Sequence, residues 1–189
     1  MTKPEGSRYT LYDTPDLDAV LDHMAWQAAS LLTARKKILV VGILRRGAPL
    51  AAMLHDRLLR NFNLGNMTLL NLQIKRYADD LTLLHPETKL TENPEHVNLD
   101  LSDTTVLAVD DVMYRGHSML RAVEYLASKQ AAEIRTVVLV DRGAAKLPVR
   151  TDIIGVCLDV APNDIIECNV PPYEETFKID LLRPEMKQT

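Results

Sequence analysis

Cysteine is scarce: the 189-residue chain has two, Cys157 and Cys168, too few for the disulfide framework of a small secreted domain. The first residues, MTKPEGSRYTLYDTP, hold no apolar segment of the signal-peptide kind, and no apolar run reaches the roughly 18 to 20 residues of a membrane span. A cytoplasmic protein without membrane contact is expected, with both thiols buried and structural. Excess positive charge is also missing. Lys plus Arg number 22 against 26 Asp plus Glu, a net charge of -4, without the bulk basicity of a non-specific nucleic-acid binder. There is no internal repeat and no low-complexity tract. What is present is ordinary globular composition, 47% hydrophobic and 25% charged, which argues against disorder, collagen and a bare coiled coil. The length fits a single domain over residues 1–189.

Asp13 and Thr14 are candidate N-caps before Pro15, and apolar residues then recur at Leu17, Val20, Leu21, Met24, Ala28, Leu31 and Leu32, one face of a helix. Ile38 to Val41, ending at Gly42, reads as a strand buried on both sides. A second helix starts near Ala48 and Pro49 with Leu50, Met53, Leu54 and Leu58 on its inner face, and Met67 to Ile74 is the next strand. Residues 75–103 are polar, contain two prolines and lack periodicity; so long a connection in a compact domain points to a functional mobile loop, with room for a hairpin. A third buried strand, Thr104 to Val109, leads through Asp110-Asp111 and a glycine turn into a helix with Leu120, Val123 and Leu126 inward. Ile134 to Val140, Ile153 to Leu158 and Ile165 to Cys168 are further strands, the last two separated by the turn-like Ala161 to Asp164. Strands alternating with helices predict an α/β fold with a mainly parallel sheet flanked by helices.

Ligands of such sheets bind beyond the carboxyl ends of the strands, which directs attention to VLAVDDVMYRGHS, Val106 to Ser118. Gly116 lets backbone approach a ligand, the helix N-terminus behind it offers N–H groups and partial positive charge, and Ser118 adds a hydroxyl, a set suited to phosphate. Asp110 and Asp111 accept hydrogen bonds from sugar hydroxyls, contact Mg2+ through water, or stabilise a developing cation. Together they imply a phosphorylated sugar. The plain alternative is a solvated acidic loop. Receiver domains of signalling proteins also place an acidic pair after a strand, but after the first strand, whereas this pair follows the third.

The same segment resembles the PRPP-binding signature of type I phosphoribosyltransferases: four hydrophobic residues, two acids, and a loop with a glycine and a closing Ser or Thr. From about residue 10 to 160 the chain is similar to the bifunctional pyrimidine-operon attenuation regulator and uracil phosphoribosyltransferase family, through GILRRGAPLA (42–51), YADDL (77–81), the PRPP signature and LVDRGAAKLPVR (139–150). The resemblance implies a Rossmann-like domain with a small hood over about 144–189 and a flexible loop over 75–103. It implies that Asp110 and Asp111 are catalytic and that Tyr114, Arg115, Gly116, His117 and Ser118 bind the 5'-phosphate of PRPP. Arg45, Arg46 and Gly47 would form the pyrophosphate-binding loop, and Arg76, Tyr77, Asp79 and Asp80 would belong to the flexible loop. DIIGVCLD (152–159) is similar to the hood of hypoxanthine-type phosphoribosyltransferases. That likeness gives Asp159 the contact to a pyrophosphate-bound Mg2+ and places Asp141, Arg142, Val156 and Leu158 around the base.

Two departures bear on activity. The family's Thr-Gly-Arg-Thr loop is Arg115-Gly116-His117-Ser118 here, and a customary loop arginine is Ala78. Arg115 either grips the 5'-phosphate bidentately or lies in solvent; His117 reads as a loop–helix junction residue. No aromatic occurs between Asp152 and Asp164, which leaves uracil and hypoxanthine or guanine both open as the base. The expected function is transfer of the 5-phosphoribosyl group from PRPP to a nucleobase with release of pyrophosphate, with Mg2+, by a homodimer in nucleotide salvage. The alternative is a non-catalytic PRPP or nucleotide sensor, RNA-binding in one version. RNA is disfavoured by the acidic first helix, DLDAVLDHMAWQAAS, and by Ala144-Ala145 where the attenuator family is basic.

Overall fold

The computed structural model describes residues 5–32, 37–75, 89–91, 96 and 98–185. After strand β1 (Gly6–Tyr12), Asp13 caps helix α1 (Thr14–Leu32). Its Oδ1 accepts the Asp16 N–H at 3.1 Å while Asp16 Oδ2 accepts the Asp13 N–H at 3.1 Å, a reciprocal arrangement of the capping-box kind. The inward face of α1 is the expected one, with Leu17, Leu21, Met24, Ala28 and Leu32 buried; Leu31 falls off that stripe and is exposed. The chain continues through β2 (Lys37–Ile43), α2 (Gly47–Phe62), β3 (Met67–Lys75), β4 (Lys89–Thr91), β5 (Thr104–Met113), α3 (His117–Ser128), β6 (Glu133–Asp141), β7 (Ile153–Cys157), β8 (Ile165–Asn169) and β9 (Lys178–Pro184).

Six strands form one sheet in the order β4-β3-β2-β5-β6-β7. All its pairings are parallel except β3 with β4, where the end of β3 pairs antiparallel with a short strand from the long polar connection. Side chains alternate between its faces. Ile38, Val40, Leu107, Val109, Val137 and Leu139 join the buried residues of α1 and α2. Leu39, Val41, Val106, Ala108 and Val138 meet Met119, Ala122 and Leu126 of α3 on the other side. The sheet is thus covered on both faces, which is why its strands read as unbroken apolar runs. The inner face of α3 differs from the expected Leu120, Val123 and Leu126: packing selects 119, 122 and 126, an i, i+3, i+7 stripe that fits the helical period better than i, i+3, i+6.

A second, antiparallel sheet, β1-β9-β8, joins the two ends of the chain. Its outer strand β1 and its central strand β9 are not visible in the sequence pattern. The residues of β1 are almost all exposed, so the strand carries no apolar alternation to read. A polar knot holds the three strands: buried Asp180 accepts from Thr10 Oγ1 at 2.7 Å and Asn169 Nδ2 at 3.1 Å, and pairs with Lys178 Nζ at 2.8 Å. The expected hood region therefore shares its sheet with residues 6–12, while β7 lies at the edge of the large sheet. Among the described residues no helix is long and apolar enough to cross a membrane.

Candidate active site

The carboxyl ends of β2, β5, β6 and β7 lie side by side, and nearly every described candidate residue is on them. β5 is longer than its sequence pattern suggests. Its ladder with β6 continues past Val109, pairing Asp110 with Val138, Val112 with Val140 and Met113 with Asp141. The acidic pair is therefore held within a strand and is not part of a loop following it, a correction to the reading of Thr104 to Val109 as the whole strand. The reason is that β6 extends four residues beyond the last pairing of β5 with β2, Gly42 with Val109.

Both aspartates are half-buried, and Asp110 Oδ1 accepts the Asp111 N–H at 2.9 Å. Burial raises the Asp110 carboxyl well above the usual carboxylate range, and the neighbouring charge of Asp111 adds to it. Burial also raises Asp111, but the positive charge of Arg46 pulls it part of the way back. Two adjacent acids in unequal fields are suited to facing a transient cation, because one carries its charge more readily than the other.

Arg45, Arg46 and Gly47 follow β2 and lead into α2; the Leu44–Arg45 peptide is cis. A Cβ on Gly47 would stand 2.6 Å from Val109 O and 3.3 Å from Asp110 Oδ1. This loop and the acidic pair are therefore in direct contact. Arg46 pairs with Glu174 at 2.6 Å and the Arg45 guanidinium lies 4.9 Å over the Tyr173 ring. Neither Tyr173 nor Glu174 carries a local sequence signal; both come from the turn before β9. Cys168, at the end of β8, is buried beside the same charges, and burial raises its thiol well above the usual value; Cys157 is exposed, a correction to the expectation that both thiols are buried, because it ends the edge strand β7.

Gly116 precedes α3 with φ +87, in the region where glycine carries no Cβ penalty. His117 and Ser118 are the first two residues of that helix, as a junction role for His117 requires. The N-cap residues Arg46 and Gly116 make no side-chain capping hydrogen bond, and the positive ends of α2 and α3 stand at neighbouring strand ends beside the acidic pair. A Cβ on Gly116 would lie 3.6 Å from Leu147 Cβ, an ordinary contact. Gly116→Ala is expected to lower stability by about 1–2 kcal/mol through its backbone angle alone, measured as a shift of the denaturant midpoint.

Tyr114 lies between two guanidinium groups, Arg115 at 5.2 Å and Arg142 at 4.7 Å from its ring centre. Arg142 is buried; its Nη2 donates to Asp164 O at 2.9 Å, and its Nε has no hydrogen-bond partner. Asp141 Oδ1 accepts the Gly143 N–H at 2.8 Å, which fixes the turn after β6. Val156 is buried on β7, Leu158 follows it half-buried, and Asp159 is exposed beyond. Arg76, Tyr77, Asp79 and Asp80, like Ala78, lie outside the described residues. At the far end of the same connection, Leu101 is buried, its N–H donating to Lys129 O at 2.9 Å and its carbonyl accepting from Ala132 N at 3.1 Å. That end of the long loop is anchored to the turn between α3 and β6.

Among the described residues no three His, Cys, Asp or Glu side chains converge on a metal position. Single carboxylates such as Asp159 fit the usual habit of Mg2+, which keeps several waters and is bound by one or two carboxylates together with substrate phosphates.

With this geometry in view, comparisons with known proteins agree on the family. The phosphoribosyl transferase domain model matches residues 7–176. The chain is 33% identical to the bifunctional protein PyrR of Haemophilus influenzae over 149 residues, 77% of this chain and 82% of that protein. It is 30% identical to the bifunctional protein PyrR of Haemophilus ducreyi over 173 residues, 91% of this chain and 95% of that one. Among solved structures, a hypoxanthine-guanine phosphoribosyltransferase from Bacillus anthracis superposes with TM-score 0.70 at 14% identity, covering 96% of this chain and 100% of the other. A hypoxanthine phosphoribosyltransferase from Trypanosoma cruzi in complex with its product IMP gives TM-score 0.71 at 14% identity, covering 99% and 100%.

Proposed function

This chain belongs to the phosphoribosyl transferase domain family, and from that premise we propose how its residues divide the work of moving a 5-phosphoribosyl group from PRPP to a nucleobase with release of pyrophosphate. The observation that carries the reading is the pair of helix N-termini, of α2 and α3, beside a half-buried carboxylate pair near the end of β5. Phosphates belong at the helix ends and the ribose between them. The Arg45 to Gly47 loop takes the pyrophosphate, and Arg115 to Ser118 with Tyr114 takes the 5'-phosphate.

In the reaction the bond from the anomeric carbon to the pyrophosphate oxygen breaks as a base nitrogen forms a new bond to that carbon. Positive charge gathers on the ribose, and Asp110 and Asp111 face it with negative charge held in place before the reaction begins. Mg2+, when bound with pyrophosphate, neutralises the leaving group, and Asp159 is the residue assigned to hold it. The Arg45 and Arg46 guanidiniums add positive charge on the same side. Asp141, Arg142, Val156 and Leu158 line the base side, with uracil and the hypoxanthine or guanine pair as the bases to compare. The 75–103 loop is assigned to exclude water during transfer. A homodimer in the cytoplasm completes the reading; the free, exposed thiol of Cys157 fits a reducing compartment, and light scattering checks the assembly.

The function is tested by incubating the protein with PRPP, Mg2+ and each of uracil, hypoxanthine and guanine, and measuring nucleotide and pyrophosphate together. Equal amounts of both with one base support transfer; pyrophosphate without nucleotide, or neither with any base, removes it. A second test concerns the 5'-phosphate. Loss of a charged hydrogen-bond donor is worth about 1.5–3 kcal/mol, so Arg115→Ala is expected to weaken ribose 5-phosphate and PRPP alike by at least about tenfold. An unchanged affinity would remove Arg115 from the 5'-phosphate site.

A further inference from the structure

Two residues outside every sequence motif reach the pyrophosphate loop from near the far end of the chain. Between β8 and β9 the backbone turns tightly. The N–H groups of Tyr173 and Glu174 both donate to Val170 O, at 3.1 and 3.3 Å, and Glu174 Oε2 accepts the Val170 N–H at 2.9 Å. The turn thus fixes the Glu174 carboxylate by one oxygen and presents it to Arg46, with Nη2 to Oε1 at 2.6 Å and Nε to Oε2 at 3.4 Å. The preceding residue, Tyr173, sets its ring under Arg45.

This pair differs from a surface ion pair. The Arg46 and Glu174 side chains are only 19% and 13% exposed, so solvent and salt screen them weakly. Arg46 also acts on the acidic pair, since its charge is felt at Asp111. At the loop this side chain adds positive charge where the leaving group forms.

We propose that Glu174 is a positioning residue that holds Arg46 at the pyrophosphate loop. The proposal rests on the assignment of Arg46 to pyrophosphate. A pre-placed guanidinium avoids the rotamer ordering that binding would otherwise impose. The 128-residue separation between the partners ties the small sheet to the catalytic edge of the large one.

The test is calorimetric titration of the full chain with Mg2+-pyrophosphate and, separately, with ribose 5-phosphate. Wild type is compared with Glu174→Gln, Arg46→Gln and the double variant. The substituted amide keeps an oxygen to accept the Val170 N–H, so the turn survives and only the charge is lost. Glu174→Gln is expected to weaken Mg2+-pyrophosphate about tenfold, the scale of one charged hydrogen bond, with ribose 5-phosphate unchanged. The double variant should bind no more weakly than Arg46→Gln alone, the signature of two residues acting as one unit. If Glu174→Gln binds pyrophosphate as tightly as wild type or tighter while Arg46→Gln is weakened, the positioning role is wrong and the pyrophosphate assignment stands. If Arg46→Gln itself binds as wild type, the assignment fails and the proposal with it. Equal weakening of both ligands by Glu174→Gln makes the residue structural and also overturns the proposal.

Discussion

Asp110→Asn with Asp111→Asn is expected to lower phosphoribosyl transfer by about 10³-fold or more, the scale seen when fixed electrostatic stabilisation of a transition state is removed, and to do so in a protein that is more stable than wild type at neutral pH. The second half of that expectation follows from linkage. Burial, with the adjacent Asp111, raises Asp110 above its reference value of 3.8, and burial raises Asp111 as well. In the window between the unfolded and the raised folded values the native state binds more protons than the unfolded state, so stability falls as pH climbs through it. Above that window both carboxylates are ionised side by side and the native state bears the full penalty.

Asparagine is nearly isosteric and uncharged, and it removes the penalty. The stability gap between the variant and wild type should therefore open as pH rises from about the ordinary aspartate value and close again in acid. Urea unfolding at a series of pH values gives the gap, and single-turnover assays give the rate. A variant that keeps wild-type turnover would remove both aspartates from the site. One that loses activity and is also less stable at neutral pH would mean that the carboxylates serve the fold through contacts that asparagine cannot make.

The same acidic pair shows how far the sequence alone reaches. Val106 to Val109 is apolar because β5 is central and covered on both faces, so a short apolar run followed by Asp-Asp is enough to locate the strand and the site. Where the strand ends is invisible, because it depends on how far β6, about 28 positions later, continues the ladder. The end proposed to hold the 5'-phosphate is legible for a local reason, since Gly116 supplies a backbone angle other residues resist. Glu174 is illegible because its meaning lies in a partner 128 residues away, and an acid shortly after two prolines reads as an ordinary turn. β1 is hidden for another reason, as a solvent-facing strand that buries almost nothing leaves no period-two pattern. Local chemistry and burial are written in the sequence, whereas contacts between distant turns depend on the assembled sheets.

Gly47→Ala is the second large effect, because it tests whether the pyrophosphate loop is pressed against the acidic strand. A Cβ there would sit 2.6 Å from Val109 O, 3.0 Å from Asp110 Cα and 3.3 Å from Asp110 Oδ1. Two of those atoms are backbone of the central strand, which cannot rotate away as a side chain would. The loop must move instead, carrying Arg45 and Arg46 with it. Overpacking of this kind costs about 1–3 kcal/mol, a fall of roughly 2–4 °C in Tm for each kcal/mol at this chain length. A displacement near 1 Å at a reacting centre costs about 100-fold in rate, so the loss of PRPP turnover should far exceed what the loss of stability alone would cause at about 25 °C. Gly65→Ala is the control: nothing lies within 4 Å of its Cβ position, and its stability should stay within about 0.5 kcal/mol of wild type. Thermal unfolding and PRPP kinetics on the two variants separate the cases. A Gly47→Ala protein with wild-type Tm and KM would show that the loop stands clear of β5, and the contact that unites the pyrophosphate and ribose halves of the site would then be absent in solution.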